Sequence, residues 1–379
     1  MTPRPPTIID VAARAGVSKS LVSMVLRDDP GVSPARRSAV LAAVAELGYR
    51  PNRAAAILAG TRTRTIGVIV DDFRNPWYVP MLDGIREALA PHGLRLTLAD
   101  TRANAHLDSS PFDDLVSLRV DGVVLAAEGF PDVVVPADTP VVVAGAREDV
   151  PGGLDVVASD EAAGGRLAAD HLIGLGHRRI AHVTGSGGPA ALRRDATVAE
   201  LVASGIEPLV YGSGPTSETT GYEGMRLALR EHSDLTAVFA ANDVMAMGAI
   251  AAAQEAGLRV PQDVSVIGND ETPLAASPLL RLTTVDPHND EVGRLAAARL
   301  VERIGAAAGT PADPIRTLVP PTLVVRSTTG PPRAGVVTAP GAGTGGAEVR
   351  RASRQGATSR PSPANSAPSG PGRSGCRSA

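Results

Sequence analysis

Apolar residues recur at helical spacing near the start of the chain. In the stretch 8–26, IIDVAARAGVSKSLVSMVL, Val11, Ala12 and Ala15 share one face of a short helix, and Gly16-Val17 interrupts the run. Ser18 is suited to cap a second helix that buries Val22, Val25 and Leu26. The other side of that helix carries Lys19, Ser20, Ser23 and Arg27, small or basic residues able to approach phosphates and base edges. Two short helices joined by a tight turn make either an ordinary core hairpin or a helix-turn-helix whose second helix enters the DNA major groove. Ser33-Pro34 opens a third helix, with Val40, Leu41, Val44 and Leu47 inward, and Gly48 stops it. Three helices close a head of about 50 residues, small for an independent core but feasible.

From Thr65 the pattern changes to short, uniformly apolar runs alternating with amphipathic stretches. Strands are predicted over 66–70, 94–99, 122–126, 141–143, 180–183, 237–240 and 264–267. Helices are predicted between many of them, for example over 80–90, 162–175, 218–230 and 244–256. Strands that are apolar throughout belong to parallel sheets covered on both faces. The alternation occurs twice, before and after about residue 160, so two α/β lobes with a cleft between them are expected. Ligands of such sheets bind beyond the carboxyl ends of the strands. The polar segments 72–78, 186–194, Asn242-Asp243 and Asn269-Asp270-Glu271 follow strands and are the candidates.

Charge adds an asymmetry. Residues 1–64 hold ten Arg and Lys against four acids, and residues 331–379 hold seven Arg against Glu348, although the whole chain is close to neutral at -3. A basic head on an acidic body favours contact with a polyanion at one end, whereas a merely solvated basic face is the plain alternative. The connector 50–64, RPNRAAAILAGTRTR, is basic and alanine-rich; its helix-prone part is too short to be stable alone in water and would fold when a partner supplies contacts. From Gly330 onward Pro, Gly, Ser, Ala and Arg dominate without period, which predicts a disordered tail.

Several function classes lose support. The single cysteine, Cys376, offers neither a disulfide nor a cysteine metal site, and no apolar run reaches membrane-spanning length. The N-terminal segment MTPRPPTIID lacks the apolar core of a signal peptide, so a cytoplasmic protein is expected. There is no GxSxG, P-loop or strand-borne GxGxxG, and no cysteine or close acid completes a metal site around His171, His177 and His182. No catalytic residue, metal or cofactor is therefore assigned.

In order along the chain stand DVAARAGVSKSLVSMVL, VSPARRSAVLAAVAELGYRPNRAA, TRTIGVIV, NPWY, VDGVVL, HLIGLGHRRIAHVTG, AVFAANDVMAMGAI, GLRVPQDVSVIGND and PLLRLTTVD. With these segments the chain resembles the lactose-repressor (LacI/GalR) family of bacterial transcription regulators over roughly residues 7–328. The resemblance implies a helix-turn-helix DNA-binding domain at 7–50, a hinge helix and linker at 51–64, and a two-lobed effector-binding and dimerisation domain at 65–328. That domain is periplasmic-binding-protein-like, and 329–379 remain a disordered tail. The implied protein is a homodimeric repressor on a pseudo-palindromic double-stranded operator, controlled by a small molecule, expected to be a carbohydrate, bound between the lobes. The competing reading is a solute-binding or sugar-processing protein without a DNA-binding role. The missing signal peptide and the attached head count against it.

Carried over residue by residue, Lys19 and Ser20 open the recognition helix, with Ser23 and Arg27 nearby. Met24 stands where the family often has Arg, and Leu21 where it usually has Thr; Met24 can make only apolar contact, for instance with a thymine methyl. Asn52 and Arg53 would hold phosphates or groove edges, and Leu58 takes the place of the leucine that wedges into the minor groove. In the cleft, Asn75, Trp77 and Tyr78 would line the first lobe, with Trp77 stacking on a sugar's C–H face. Asn242 and Asp270 would bind hydroxyls from the second lobe. The family's ligand arginine falls at Arg193 or Arg194, with the register open. An acid common after the VVV strand is replaced by Gly145, and an aromatic common before the SGY-like turn by Thr216 or Pro215. His288, beside Asp286, is either a ligand contact or a surface histidine. The pocket is thus remodelled.

Overall fold

The computed structural model describes residues 4, 6–26, 29–50, 63–103, 105–106, 110–130, 134–136, 138–147, 152–306 and 313–333. Residues 51–62 of the expected connector, Arg27 with Asp28, and the tail beyond 333 lie outside the described residues.

The head consists of α1 (Ile8–Ala15), α2 (Lys19–Leu26) and α3 (Pro34–Leu47). At the start of α1, Thr7 and Asp10 cap each other: the Asp10 N–H donates to the Thr7 hydroxyl and the Thr7 N–H to the Asp10 carboxylate. Gly16 and Gly48 end α1 and α3 in the left-handed conformation. Val11, Val22, Val25 and Val40 form the buried centre. Four expected inward residues are not fully buried there: Val44 and Leu47 pack only partly against this centre, Leu26 is half-buried and Leu41 is 49% exposed. Val40 and Leu41 are adjacent and so point about 100° apart on a helix; Ala43, three residues after Val40, takes the inward place. Pro34 stands in the first turn of α3, but the Ser33 side chain makes no cap bond.

The first lobe is built on a six-stranded sheet in the order β11-β5-β4-β3-β1-β2. Its strands are β1 (Thr65–Val70), β2 (Arg95–Asp100), β3 (Gly122–Ala126), β4 (Val141–Ala144), β5 (Asp155–Ser159) and β11 (Arg316–Val319), every adjacent pair parallel. The helices α4 (Tyr78–Leu89) and α5 (Pro111–Ser117) lie within the same stretch of chain.

The second lobe repeats the design in the order β12-β10-β9-β8-β6-β7. It uses β6 (Ile180–Val183), β7 (Leu209–Tyr211), β8 (Ala237–Ala240), β9 (Ser265–Asn269), β10 (Thr283–Asp286) and β12 (Thr322–Val324). Only the β10–β12 pair is antiparallel. The helices α6 (Glu161–Gly174), α7 (Gly188–Ala203), α8 (Glu218–Glu231) and α9 (Asp243–Glu255) accompany it.

A single division near residue 160 describes only the first of three crossings between lobes. After β10 the chain returns to the first lobe as α10 (Asn289–Gly305) and β11, then re-enters the second as β12. Two contacts hold α10 there. Where it crosses α4, a Cβ on Gly84 would overlap the Asp290 carbonyl and one on Gly293 the Met81 carbonyl, so only glycine allows this approach.

The second contact is ionic. Asp155, 2% exposed, accepts from Arg303 Nε at 2.6 Å, from Arg299 Nε at 2.9 Å and from the Ile315 N–H at 2.9 Å. Burial pushes its carboxyl up, but the bonds from Arg303 and Arg299 outweigh this and hold it well below the usual range. Because the folded form is the better acid, this stabilisation is complete above the unfolded value near 3.8 and is lost as the pH falls below it. Asp155→Asn is expected to lower stability by about 2–3 kcal/mol at neutral pH. It should also flatten the fall in stability below pH 4, as read by urea unfolding across an acid pH series.

Candidate functional site

The cleft between the lobes holds a cavity of about 510 Å³, within the range of small-molecule sites. The first-lobe wall is assembled where β1 ends. Tyr78 is 3% exposed, and its hydroxyl lies 3.1 Å from the Ala126 carbonyl, from an Asp71 carboxylate oxygen and from the Asp71 N–H. Burial pushes this phenol up, so it keeps its proton. Tyr78 thereby holds Asp71, whose other oxygen accepts from the Glu128 N–H at 2.8 Å. Asn75 accepts from the Trp77 N–H at 3.1 Å and shapes the turn into α4. Asp72 is held down to about 2, first by its hydrogen bond with Arg74, and pairs also with Arg102 at 3.3 Å. The Trp77 and Tyr78 rings meet edge to face at 4.8 Å, and the Arg147 guanidinium sits 5.3 Å from the Trp77 centroid.

The second-lobe wall is organised by Arg193, 5% exposed on α7. Its Nε donates to Glu161 at 2.6 Å, its Nη1 to the Ala241 carbonyl at 2.6 Å, and its Nη2 lies 3.4 Å from Asp270. One guanidinium thus ties together the start of α6 and the ends of β8 and β9. Gly165 of α6 permits this placement, since a Cβ there would stand 2.5 Å from the Arg193 carbonyl oxygen. Burial pushes Asp270 up against the pull of Arg193, and the neighbouring Asp243 adds to the rise. Asp270 also has φ +124, a strained backbone for a residue with a side chain, of the kind that collects at functional sites. Asn242 caps α9 by accepting from the Met245 N–H at 2.8 Å, and its amide donates to the Thr216 carbonyl at 3.4 Å.

The structure brings Asn75, Trp77, Tyr78, Arg193, Asn242 and Asp270 to one cavity. Gly145, Pro215 and Thr216 line it too. Arg194 does not: one residue further along α7 turns its side chain away, where it is 38% exposed and pairs with Asp195 at 2.8 Å. His288 is also absent from the lining. It precedes α10 in a left-handed conformation and pairs with Asp286 at 3.2 Å and Thr322 at 3.2 Å. The three central histidines are held separately, His171 by Thr329, His177 by Thr236 and the Gly330 carbonyl, and His182 by the Phe239 carbonyl. Among the described residues no cluster of metal-ligating side chains exists, and no helix is long and apolar enough to cross a membrane.

Inspection of the sequence alone passes over Glu128, Arg147 and Glu161. Each stands two or three residues beyond β3, β4 or β5, so the strand-end rule applied to every strand would have found them.

In the head, Lys19 and Ser20 are exposed on the first turn of α2, which Ser18 caps by accepting from the Leu21 N–H at 3.2 Å. Ser23 is half-buried, and Met24 packs partly against the head core, so its apolar surface is divided between core and exterior. Arg27, Asn52, Arg53 and Leu58 lie outside the described residues.

Residues 7–52 match the family described as bacterial regulatory proteins, lacI family, and residues 169–329 match the periplasmic binding protein-like domain. The chain is 35% identical over 337 residues to the HTH-type transcriptional regulator CelR of Thermobifida fusca, covering 85% of this chain and 98% of that protein. Among solved structures it resembles a CelR–cellobiose complex, with a TM-score of 0.60 at 33% identity over 85% of this chain and 99% of that one. It also resembles the lac repressor dimer bound to operator and the anti-inducer ONPF, with a TM-score of 0.73 at 29% identity over 86% and 100% of the two chains.

Proposed function

The chain belongs to the lacI family of bacterial regulatory proteins, and from that premise we propose that it is a dimeric repressor whose grip on a specific operator is set by a small molecule in the cleft. One observation carries the reading. A helix-turn-helix with Lys19 and Ser20 exposed at the head of its second helix shares a polypeptide with a two-lobed receptor whose walls converge on a polar cavity. In this reading residues 7–50 read DNA, 51–64 form the hinge and 65–328 bind effector and pair the protomers. Lys19, Ser20, Ser23, Met24 and Arg27 face the major groove, with Asn52, Arg53 and Leu58 at the hinge.

The effector is a carbohydrate, as in the CelR complex with cellobiose. The cavity's mixture of carboxylates, amides and guanidinium groups suits a ligand rich in hydroxyls. The cleft acts as a receptor rather than a site of turnover, and the protein works in the cytoplasm, where the chromosome lies. Effector binding changes the lobe-to-lobe angle and with it the spacing of the paired hinges; a coupling of about 1–3 kcal/mol is enough to switch operator occupancy.

The test begins with selection of an operator from random duplexes by the full-length protein. Its affinity is then followed against salt and against a panel of sugars. Operator affinity is expected to fall linearly with salt on logarithmic axes as phosphate contacts release counterions, and to change at least fivefold with one sugar. No preference over random duplex, with or without sugars, would falsify the reading.

A further inference from the structure

The strand β4 ends at Ala144, and Gly145 follows with φ +89. A side chain here would be strained, and it would displace the end of Arg147. The backbone is left-handed, and a Cβ would stand 2.9 Å from Arg147 Nη2 and 3.3 Å from Trp77 Cη2. The space that Gly145 leaves is occupied by Arg147, folded back onto the indole. The Arg147 side chain is 8% exposed, yet it lines the cavity. Its Nη2 donates to the Ala144 carbonyl at 3.3 Å, while Nη1 lies 3.8 Å from Asp71 and 3.9 Å from Glu128, beyond hydrogen-bonding distance. The buried Nε has no hydrogen-bond partner among the described residues. A guanidinium carries five N–H donors in a rigid fork, and a buried donor left unused costs free energy until an acceptor reaches it.

Taking the cleft as the effector site, we propose that Arg147, seated on Trp77 in the space opened by Gly145, is its specificity-determining residue and selects an uncharged polyhydroxylated ligand. Hydroxyl and ring oxygens take the unused donors of the fork. The covered indole face is then not an open stacking platform, because a ligand meets the guanidinium first. Charge argues against an anionic ligand. Arg147 is faced by Asp71 and Glu128, Arg193 by Glu161 and Asp270, and Arg102 by Asp72. A carboxylate or phosphate would add negative charge to walls where every cation is already answered, and where carboxylates outnumber guanidinium groups even with Asp270 protonated.

Trp77 is the only tryptophan, so its fluorescence in the full-length protein reports directly on this corner. The probes are neutral mono- and disaccharides, each beside the uronate and the phosphate of the same skeleton. The wild type is expected to bind a neutral sugar at least tenfold more tightly than its uronate or phosphate. Arg147→Lys keeps the charge but loses the fork, and should weaken that binding at least tenfold. Arg147→Ala should weaken it further and shift the ligand-free Trp77 emission, with far-UV circular dichroism establishing that both variants are folded. Equal affinity in wild type and both variants, with unmoved ligand-free emission, overturns the assignment of Arg147 alone. Tighter binding of a uronate or phosphate overturns the ligand class. A wild type that binds operator but responds to no probe overturns the effector reading, and this proposal with it.

Discussion

Arg193→Ala is expected to destabilise the protein by about 3–5 kcal/mol and to abolish its effector response. The guanidinium is buried and holds Glu161 at 2.6 Å, the Ala241 carbonyl at 2.6 Å and Asp270 at 3.4 Å. Removing it leaves Glu161 as a buried carboxylate without its partner at 2.6 Å, a larger cost than the net worth of the intact pair. Three elements also lose their common anchor, and they are the elements that carry the second-lobe wall of the cavity. The neighbouring Arg194→Ala is the control. Its pair with Asp195 is exposed on both sides, at 38% and 70%, and such a surface pair contributes about 0–1 kcal/mol. Urea unfolding of the two variants should therefore separate clearly. Equal midpoints would mean that Arg193 is not the hub of this wall.

Val22→Asp is expected to eliminate specific operator binding while leaving the body's response to effector in place. Val22 has no exposed surface and sits among Val11, Val25 and Val40 at the centre of the head. At roughly 0.05–0.15 kcal/mol per residue, a head of about 44 residues holds only about 2–7 kcal/mol. An unpaired carboxylate at its centre costs several kcal/mol, comparable with everything the head has. The helix α2, proposed to read DNA, then loses the packing that presents Lys19 and Ser20. Because Trp77 lies in the body, its fluorescence follows effector binding independently of the head. Retained operator selectivity in a folded Val22→Asp protein would remove the head from DNA reading.

The elements legible in the sequence are those whose buried side is apolar at a regular period. Val22 and Val25, the runs of β1, β3 and β8, and the glycines closing α1 and α3 all fall where periodicity and cap chemistry place them. The helix α7 shows why this fails elsewhere. Four of its buried residues, Ala190, Arg193, Thr197 and Leu201, keep helical spacing, but two of these four are polar, so a search for an apolar period misses the face. The strand β12, three residues long and only partly buried, gives too short a pattern to stand out.

Local order was therefore decided by the chain's own pattern of apolar, capping and turn residues, and so was the arrival of polar groups at strand ends. Tertiary structure alone decided the pairings between distant residues. It turned Arg193 inward and Arg194 outward, laid Arg147 on Trp77, and carried α10 and β11 back to the first lobe. The physical reason is common to all three. A buried charge or a glycine crossing is stable only through partners tens or hundreds of residues away, and such a partner leaves no mark on the local period.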